Sequence, residues 1–182
     1  MAICVIIGSK LPSIAYQTVT GSASAATSYT FTSQPIGTAS SSRYVIVSAS
    51  SIYWAMWRRL VTSGTTANIV ITPSASASSC HIGVWSIYDT RDAGAPFGAT
   101  SNSTAGTSLS LNVNTDANGV GCGLVLDAAN VTWSGATEDY DALIAGKWMT
   151  GASFSGAAAA TPRSVSVTCS ATGLYGNFAS FR

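Results

Sequence analysis

The sequence predicts an all-β protein: a single antiparallel β-sandwich over residues 1–182, jelly-roll-like and with little helix. Three observations support this. Apolar and polar residues alternate with a period of two along most of the chain. Turn-forming residues recur at short, regular intervals between the alternating runs. The polar residues are mostly Ser, Thr, Asn and Gly, and only 8% of the chain is charged, against roughly 25% in ordinary soluble domains.

Each β-rich run between turn signals is a predicted strand. The first extends from Ile3 to Ile7. In "TSLSLNVN" the alternation is strict, so Leu109, Leu111 and Val113 should face the core while Ser108 and its polar neighbours face outward. The alternation also places Tyr29 and Phe31 on one face of "SYTFTS", and Ile69 and Ile71 on one face of "ANIVITPS". The remaining predicted strands lie in "RYVIVSAS", "YWAMWRR", "CHIGVWSIYD", "CGLVLDA", "NVTWSG", "RSVSVTCSA" and "LYGNFASFR".

Three segments depart from this pattern. "TEDYDALIAGKWM" has an acidic start, which suits a helix N-terminus, and the β-rich context reduces it to a predicted helical turn or loop. "GSASAATS" and "SGAAAATP" are predicted to be loops within one domain.

Composition excludes several classes of partner. The net charge is +1, which gives no electrostatic case for nucleic acid or an anionic membrane. No apolar run reaches the roughly 18 residues of a membrane helix. The N-terminal apolar stretch has no basic region before it, so we do not expect it to be a signal peptide.

Catalytic signatures are weak, and we expect neither an enzyme nor a cofactor. His81 is the only histidine and lies inside an apolar strand, where a structural role is the simpler interpretation. The carboxylates of Glu138, Asp139 and Asp141 are clustered, but adjacent strand positions point to opposite faces. A solvated acidic loop is the favoured interpretation, and a calcium site is a weak alternative.

The four cysteines are widely spaced and form no zinc-site pattern with His81. One interpretation is four small buried apolar residues. The other is one or two disulfides, which a particle that leaves the cell could retain. The residues concerned are Cys4, Cys80, Cys122 and Cys169.

The "YWAMWRR" stretch is the most informative feature, because it concentrates the residue types enriched at protein interfaces. On a strand, Tyr53 and Trp57 share one face, while Trp54, Met56 and Arg58 share the other. One face can fill a core, so the other should reach a surface. With Arg59, these residues form the predicted interface or ligand platform.

The segments "SYTFTSQPIGTASSSRYVIVSAS", "SCHIGVWSIYD", "VTWSGATEDYDA" and "NFASFR" resemble small all-β proteins of tailed bacteriophages and prophages. The resemblance extends from Tyr29 to Arg182 and its motifs are structural, so no catalytic residue is carried over. It implies a virion component assembled in the bacterial cytoplasm, such as a capsid decoration (cement) or head–tail accessory protein. The implied partners are the major capsid protein or tail and collar proteins, with self-association, for example as a trimer.

A second hypothesis is a lectin-like β-sandwich of a tail or head fibre. It would bind host glycans through Trp54, Trp57 or Tyr53. A recessed aromatic platform flanked by Asn or Asp would favour it, whereas a flat apolar patch would favour the structural role.

Overall fold

The computed structural model describes residues 15–20, 29–50, 54–72, 79–90, 96–127, 129–144 and 147–182. All regular structure in these residues is β-strand, arranged in antiparallel sheets, so the predicted all-β fold class is confirmed. No helix long and apolar enough to cross a membrane occurs in the described ranges. The predicted strand Ile3–Ile7 lies outside them.

The chain divides into two compact units, Met1–Asp89 and Thr90–Arg182. The first unit contains β1 (Ala15–Thr20), β2 (Tyr29–Pro35), β3 (Tyr44–Ser50), β4 (Trp54–Leu60), β5 (Thr66–Ile71) and β6 (Ser79–Ile87). The second contains β7 (Gly98–Thr104), β8 (Ser108–Ser110), β9 (Val113–Thr115), β10 (Gly119–Asp127), β11 (Val131–Ser134), β12 (Thr137–Ile144), β13 (Lys147–Ala157), β14 (Ala160–Arg163), β15 (Ser166–Cys169) and β16 (Leu174–Phe181). A single domain of jelly-roll topology over 1–182 stays a prediction.

The first unit is built from a four-stranded sheet, in the order β1-β6-β3-β4, and a two-stranded ribbon of β2 and β5. The ribbon alternates as the sequence predicts. Tyr29 and Phe31 of β2 are buried, as are Ile69 and Ile71 of β5, while Val70 between them is exposed. One side of the ribbon therefore supplies core and the other side is open to solvent.

A buried arginine ties the loops of this unit together. Arg43 is fully inaccessible to solvent, and its guanidinium donates four hydrogen bonds to main-chain carbonyl oxygens. Nε donates to Val61 (2.9 Å), Nη1 to Ile36 and Gly37 (3.0 and 2.9 Å), and Nη2 to Ser63 (2.8 Å). A buried charge is costly unless hydrogen-bonded, and this fork of donors meets that requirement while joining the β2–β3 and β4–β5 connections.

Strand β6 supports the same loop from the other side. The Ser86 hydroxyl donates to the Ile36 carbonyl at 2.7 Å, and the Tyr88 hydroxyl donates to the Thr38 carbonyl at 3.0 Å. Gly37 has a positive φ of 71°, and a Cβ there would meet the Tyr88 hydroxyl at 2.5 Å. Glycine is therefore required at this turn for both conformation and space.

In the second unit, a five-stranded sheet (β12-β13-β10-β16-β7) packs on a three-stranded sheet (β11-β15-β8). Leu109, Leu111 and Val113 are buried between them, while Ser108, Ser110 and Asn112 are exposed. The predicted facing of this segment is confirmed. The segment is two short strands rather than one, because β8 pairs with β15 and β9 pairs with β14.

Stacked aromatic rings fill the centre of this sandwich. Phe178 stacks on Phe154 with ring centroids 5.6 Å apart, and Trp133 lies tilted against Phe178 at 6.1 Å. Gly121 and Gly123 lie on the same face of the sheet, opposite Phe154 and Phe178 in the strand register. A Cβ on either glycine would overlap these rings, so the two glycines create the space that the rings occupy.

The predicted helical turn or loop in "TEDYDALIAGKWM" is wrong. Its first part is β12, which pairs antiparallel with β13. The acidic residues fit a strand because β13 offers hydroxyl donors: Ser153 donates to Asp139 at 2.8 Å and Thr150 to Asp141 at 3.2 Å. Cross-strand hydrogen bonds thus outweigh the local helix-start signal.

The predicted loop "SGAAAATP" is also largely strand. Strand β13 continues to Ala157 and β14 begins at Ala160. The Thr115 hydroxyl donates to the Ala158 carbonyl at 2.9 Å, which anchors the short connection. The predicted loop "GSASAATS" covers residues 21–28, which lie outside the described ranges. Strand β2 begins at the next residue, Tyr29.

We expect Arg43→Met to lower the free energy of unfolding by about 3 kcal/mol or more, because it removes four charge-assisted hydrogen bonds to loop carbonyls. The matched control is Lys147→Met, which also replaces a cation by Met at an exposed position, with an expected change within about 0.5 kcal/mol. Urea denaturation measures both. Equal effects of the two substitutions would contradict the role given to Arg43.

We expect Gly123→Ala to destabilise the protein by on the order of 3 kcal/mol, because the added methyl overlaps the Phe178 ring and the Asn177 carbonyl oxygen. Gly106→Ala is the control, since its Cβ would meet its nearest neighbour, the Thr104 hydroxyl, only at 3.4 Å. Thermal unfolding of the two variants checks this, and a Gly123→Ala protein as stable as the control would refute it.

Candidate functional site

The "YWAMWRR" stretch forms β4, at the edge of the four-stranded sheet. Among the described strands, β4 pairs only with β3, from Ser50↔Trp54 to Tyr44↔Leu60. Trp57 is 45% exposed and Leu60 is also 45% exposed. Large apolar side chains at a strand edge are unusual on a soluble monomer, because such edges template further pairing.

Trp57 and Arg59 lie on one face of β4 and line an open groove of about 500 Å³ with residues of β5. Val70, 58% exposed, supplies an aliphatic surface on the β5 side. The Arg59 side chain is exposed and forms no ion pair with any residue of the described ranges. The groove therefore combines an aromatic ring, an aliphatic side chain and an available cation.

A bulge in β2 fixes the polar side of this groove. The register between β2 and β5 shifts between Phe31 and Gln34, and Ser33 has a positive φ of 52°. The Ser33 amide donates to Oδ1 of Asn68 at 2.9 Å. Because Oδ1 accepts this bond, the Asn68 amide nitrogen remains as a donor beside Val70 and Thr72, which also line the groove.

The other predicted platform residues lie elsewhere. Met56 and Arg58 are on the opposite face of β4 and are partly buried, with the Arg58 guanidinium 4.7 Å from the centre of the Tyr44 ring. Trp54 contributes its main chain to β4, and its side chain is outside the described part. Tyr53 lies outside the described residues altogether. The structure thus brings Trp57 and Arg59 together and separates Met56 and Arg58 from them.

Sequence reasoning missed the β5 half of the groove, formed by Asn68, Val70 and Thr72. The alternation in "ANIVITPS" does place Val70 on the solvent side once Ile69 and Ile71 are assigned to the core. The alternation cannot predict that β5 lies beside β4, because the two strands belong to different sheets and share no backbone ladder.

The predicted disulfide cysteines are thiols wherever the structure describes them. Cys80 and Cys122 are fully buried, as expected of small apolar residues. Cys169 is partly exposed, and its sulfur exchanges hydrogen bonds with the main chain of Ala171 at 3.0 and 3.1 Å. Cys4 lies outside the described residues.

The weak calcium candidate does not assemble into a site. No group of three or more His, Cys, Asp or Glu side chains in the described ranges could hold a metal ion. Asp139 and Asp141 accept hydrogen bonds from β13 hydroxyls, while Glu138 is exposed. Partial burial, with repulsion from Asp141 and Asp139, raises the pKa of Glu138 above its usual range.

His81 is buried in β6, opposite Thr18 and Ser50 in the register. Strand alternation places it on the opposite face of the sheet from Trp57. It therefore does not line the groove, which fits the structural role predicted for it.

The pKa of the Cys80 thiol is raised by burial from 9.0 to about 11. The folded state favours the neutral thiol, so its contribution is present below pH 9 and is lost as the pH rises from about 9 to about 11. We expect the unfolding free energy to decline over that window and Cys80→Ala to decline less steeply. Denaturation at a series of pH values checks this, and parallel profiles for the two proteins would contradict it.

This chain matches no protein-family model, and no curated protein or solved structure shows significant similarity to it.

Proposed function

We propose that this chain is a structural, non-catalytic virion protein of a tailed bacteriophage, a capsid decoration or head–tail accessory protein that self-associates and binds neighbouring virion proteins. The observation that carries the proposal is the half-exposed Trp57 beside the exposed Arg59 on edge strand β4. Trp and Arg are the residue types most enriched in the energetic centres of protein interfaces.

Charge scarcity supports an assembled state. With 8% charged residues, the chain has few groups to keep an exposed aromatic strand soluble on its own. Covering the Trp57 and Leu60 side chains with a neighbouring protein removes apolar surface from water and satisfies the edge of β4. A structural protein held in a particle meets both conditions.

The residues that carry the phage resemblance agree with a structural role. In the opening motif, Tyr29 and Phe31 are buried and Gly37 forms a tight turn. Arg43 is buried and donates hydrogen bonds to main-chain carbonyls. These four residues of the motif thus have roles in folding. The resemblance therefore supports the class of protein, while the groove supplies the contact surface.

Glycan binding is the second candidate, favoured by the polar lining of the groove. An aromatic ring next to Asn68, Thr72 and Arg59 offers a face for the apolar side of a sugar and donors for its hydroxyls. In that case the protein would belong to a tail or head fibre. Stoichiometry in purified particles separates the two, since decoration requires hundreds of copies.

We expect Trp57→Ala to fold with stability close to that of the original chain, because Trp57 is 45% exposed, and to lose incorporation into purified particles by at least about tenfold. Tyr175→Ala is the matched control, since Tyr175 is 48% exposed on β16 of the other unit. Quantitative mass spectrometry of particles against the shell protein gives the copy number.

Three outcomes are informative. Loss of incorporation with retained folding supports the structural proposal. A Trp57→Ala protein that is incorporated normally but no longer binds host glycans establishes the lectin-like function instead. Absence of the original chain from purified particles overturns the virion proposal.

A further inference from the structure

We infer that the β4 edge of one copy binds the β12 edge of a second copy, with Arg59 opposite Glu138, so that identical chains join head to tail. This inference rests on the proposed self-associating structural function and names the surface that performs it. The occupant of the β4 edge is thus a strand of this same protein.

Both strands are edges of antiparallel sheets. Within the described residues, β4 pairs only with β3, and β12 pairs only with β13. They span seven and eight residues. Strand β12 has a register shift between Glu138 and Tyr140, so continuous main-chain pairing with β4 is available from Tyr140 to Ile144, while Glu138 contributes through its side chain. A strand added to such an edge satisfies main-chain donors and acceptors that water otherwise satisfies.

The charges on the two strands are complementary. Strand β4 carries two arginines and no acid, while β12 carries three carboxylates and no base. Together they hold five of the 15 charged residues counted as Lys, Arg, Asp and Glu in the chain. Of these five, Arg59 and Glu138 are exposed, and their opposite charges favour β4–β12 pairing over β4–β4 or β12–β12 contacts.

The side chains of β12 identify Glu138 as the carboxylate available to a partner. Asp139 and Asp141 are engaged by Ser153 and Thr150, whereas Glu138 is exposed. Partial burial, with repulsion from those two neighbours, raises the pKa of Glu138, and an arginine from a second copy would offset that repulsion.

Apolar side chains are exposed on both strands. Trp57 and Leu60 on β4 are each 45% exposed, and Leu143 on β12 is 59% exposed. Pairing the strands covers these side chains along with the charges, as expected of an interface with an apolar centre and a charged rim. Because the two surfaces differ, the contact is heterologous and closes into a ring, a trimer for example, or continues as a filament.

The test is a charge exchange followed by light scattering after size-exclusion chromatography. We expect Arg59→Glu and Glu138→Arg each to weaken self-association by at least about tenfold, because each places like charges across the contact. The double variant Arg59→Glu with Glu138→Arg restores the opposite pairing and should recover the original mass. Lys147→Glu, at an exposed residue of β13, controls for the change in net charge that Arg59→Glu makes.

The inference is overturned if the original chain is monomeric at every concentration tested, or if the single variants keep the original mass. It is also overturned if the double variant stays as dissociated as the single variants. Particle incorporation of the same variants separates this inference from the proposed function. If Arg59→Glu forms normal oligomers but fails to enter particles, a different virion protein binds β4. If the original chain is absent from particles, the proposed function itself is refuted.

Discussion

The buried guanidinium of Arg43 is the constraint on which the first unit depends. Two connections between strands of different sheets, around Ile36 and around Ser63, would otherwise present main-chain carbonyls to a site from which water is excluded. A single rigid donor fork satisfies them together, where lysine would offer a point charge without this geometry. Arg43 also holds the β4–β5 connection, which joins the two strands that line the groove.

The second unit solves a different problem, that of fitting bulky rings between two sheets. The stacked rings of Phe154, Phe178 and Trp133 occupy space that Leu or Val side chains on β10 would fill. Gly121 and Gly123 of β10 leave that space open. Arg163 closes the stack from outside: its guanidinium lies 4.4 Å from the Phe154 ring centre and donates to the Gly135 carbonyl at 3.0 and 2.8 Å. In both units, therefore, an arginine bonded to main-chain oxygen fixes a loop.

The sequence could predict what alternation determines and could not predict what depends on neighbours. The faces of Tyr29 and Phe31, of Ile69 and Ile71, and of Leu109 and Leu111 follow from a period of two, and all are as predicted. The β12–β13 hairpin was hidden because its acids are satisfied by hydroxyls of the partner strand. Trp57 and Arg59 could be recognised as an unusual pair, but their groove requires β5, which shares no ladder with β4.

Scarcity of charge gives each remaining charge a more specific role. An abundant Lys and Glu surface repels other copies at long range and blunts strand edges. This chain instead has two lysines and one glutamate. Among the described arginines, Arg43 and Arg163 bond to main-chain carbonyls, whereas Arg59 is exposed on strand β4. In the self-association proposed above, the exposed Arg59 and the half-exposed Trp57 of β4 are the side chains that a second copy would cover. The composition that predicts a Ser- and Thr-rich β-fold also agrees with that proposal, because few charges are present to oppose such a contact.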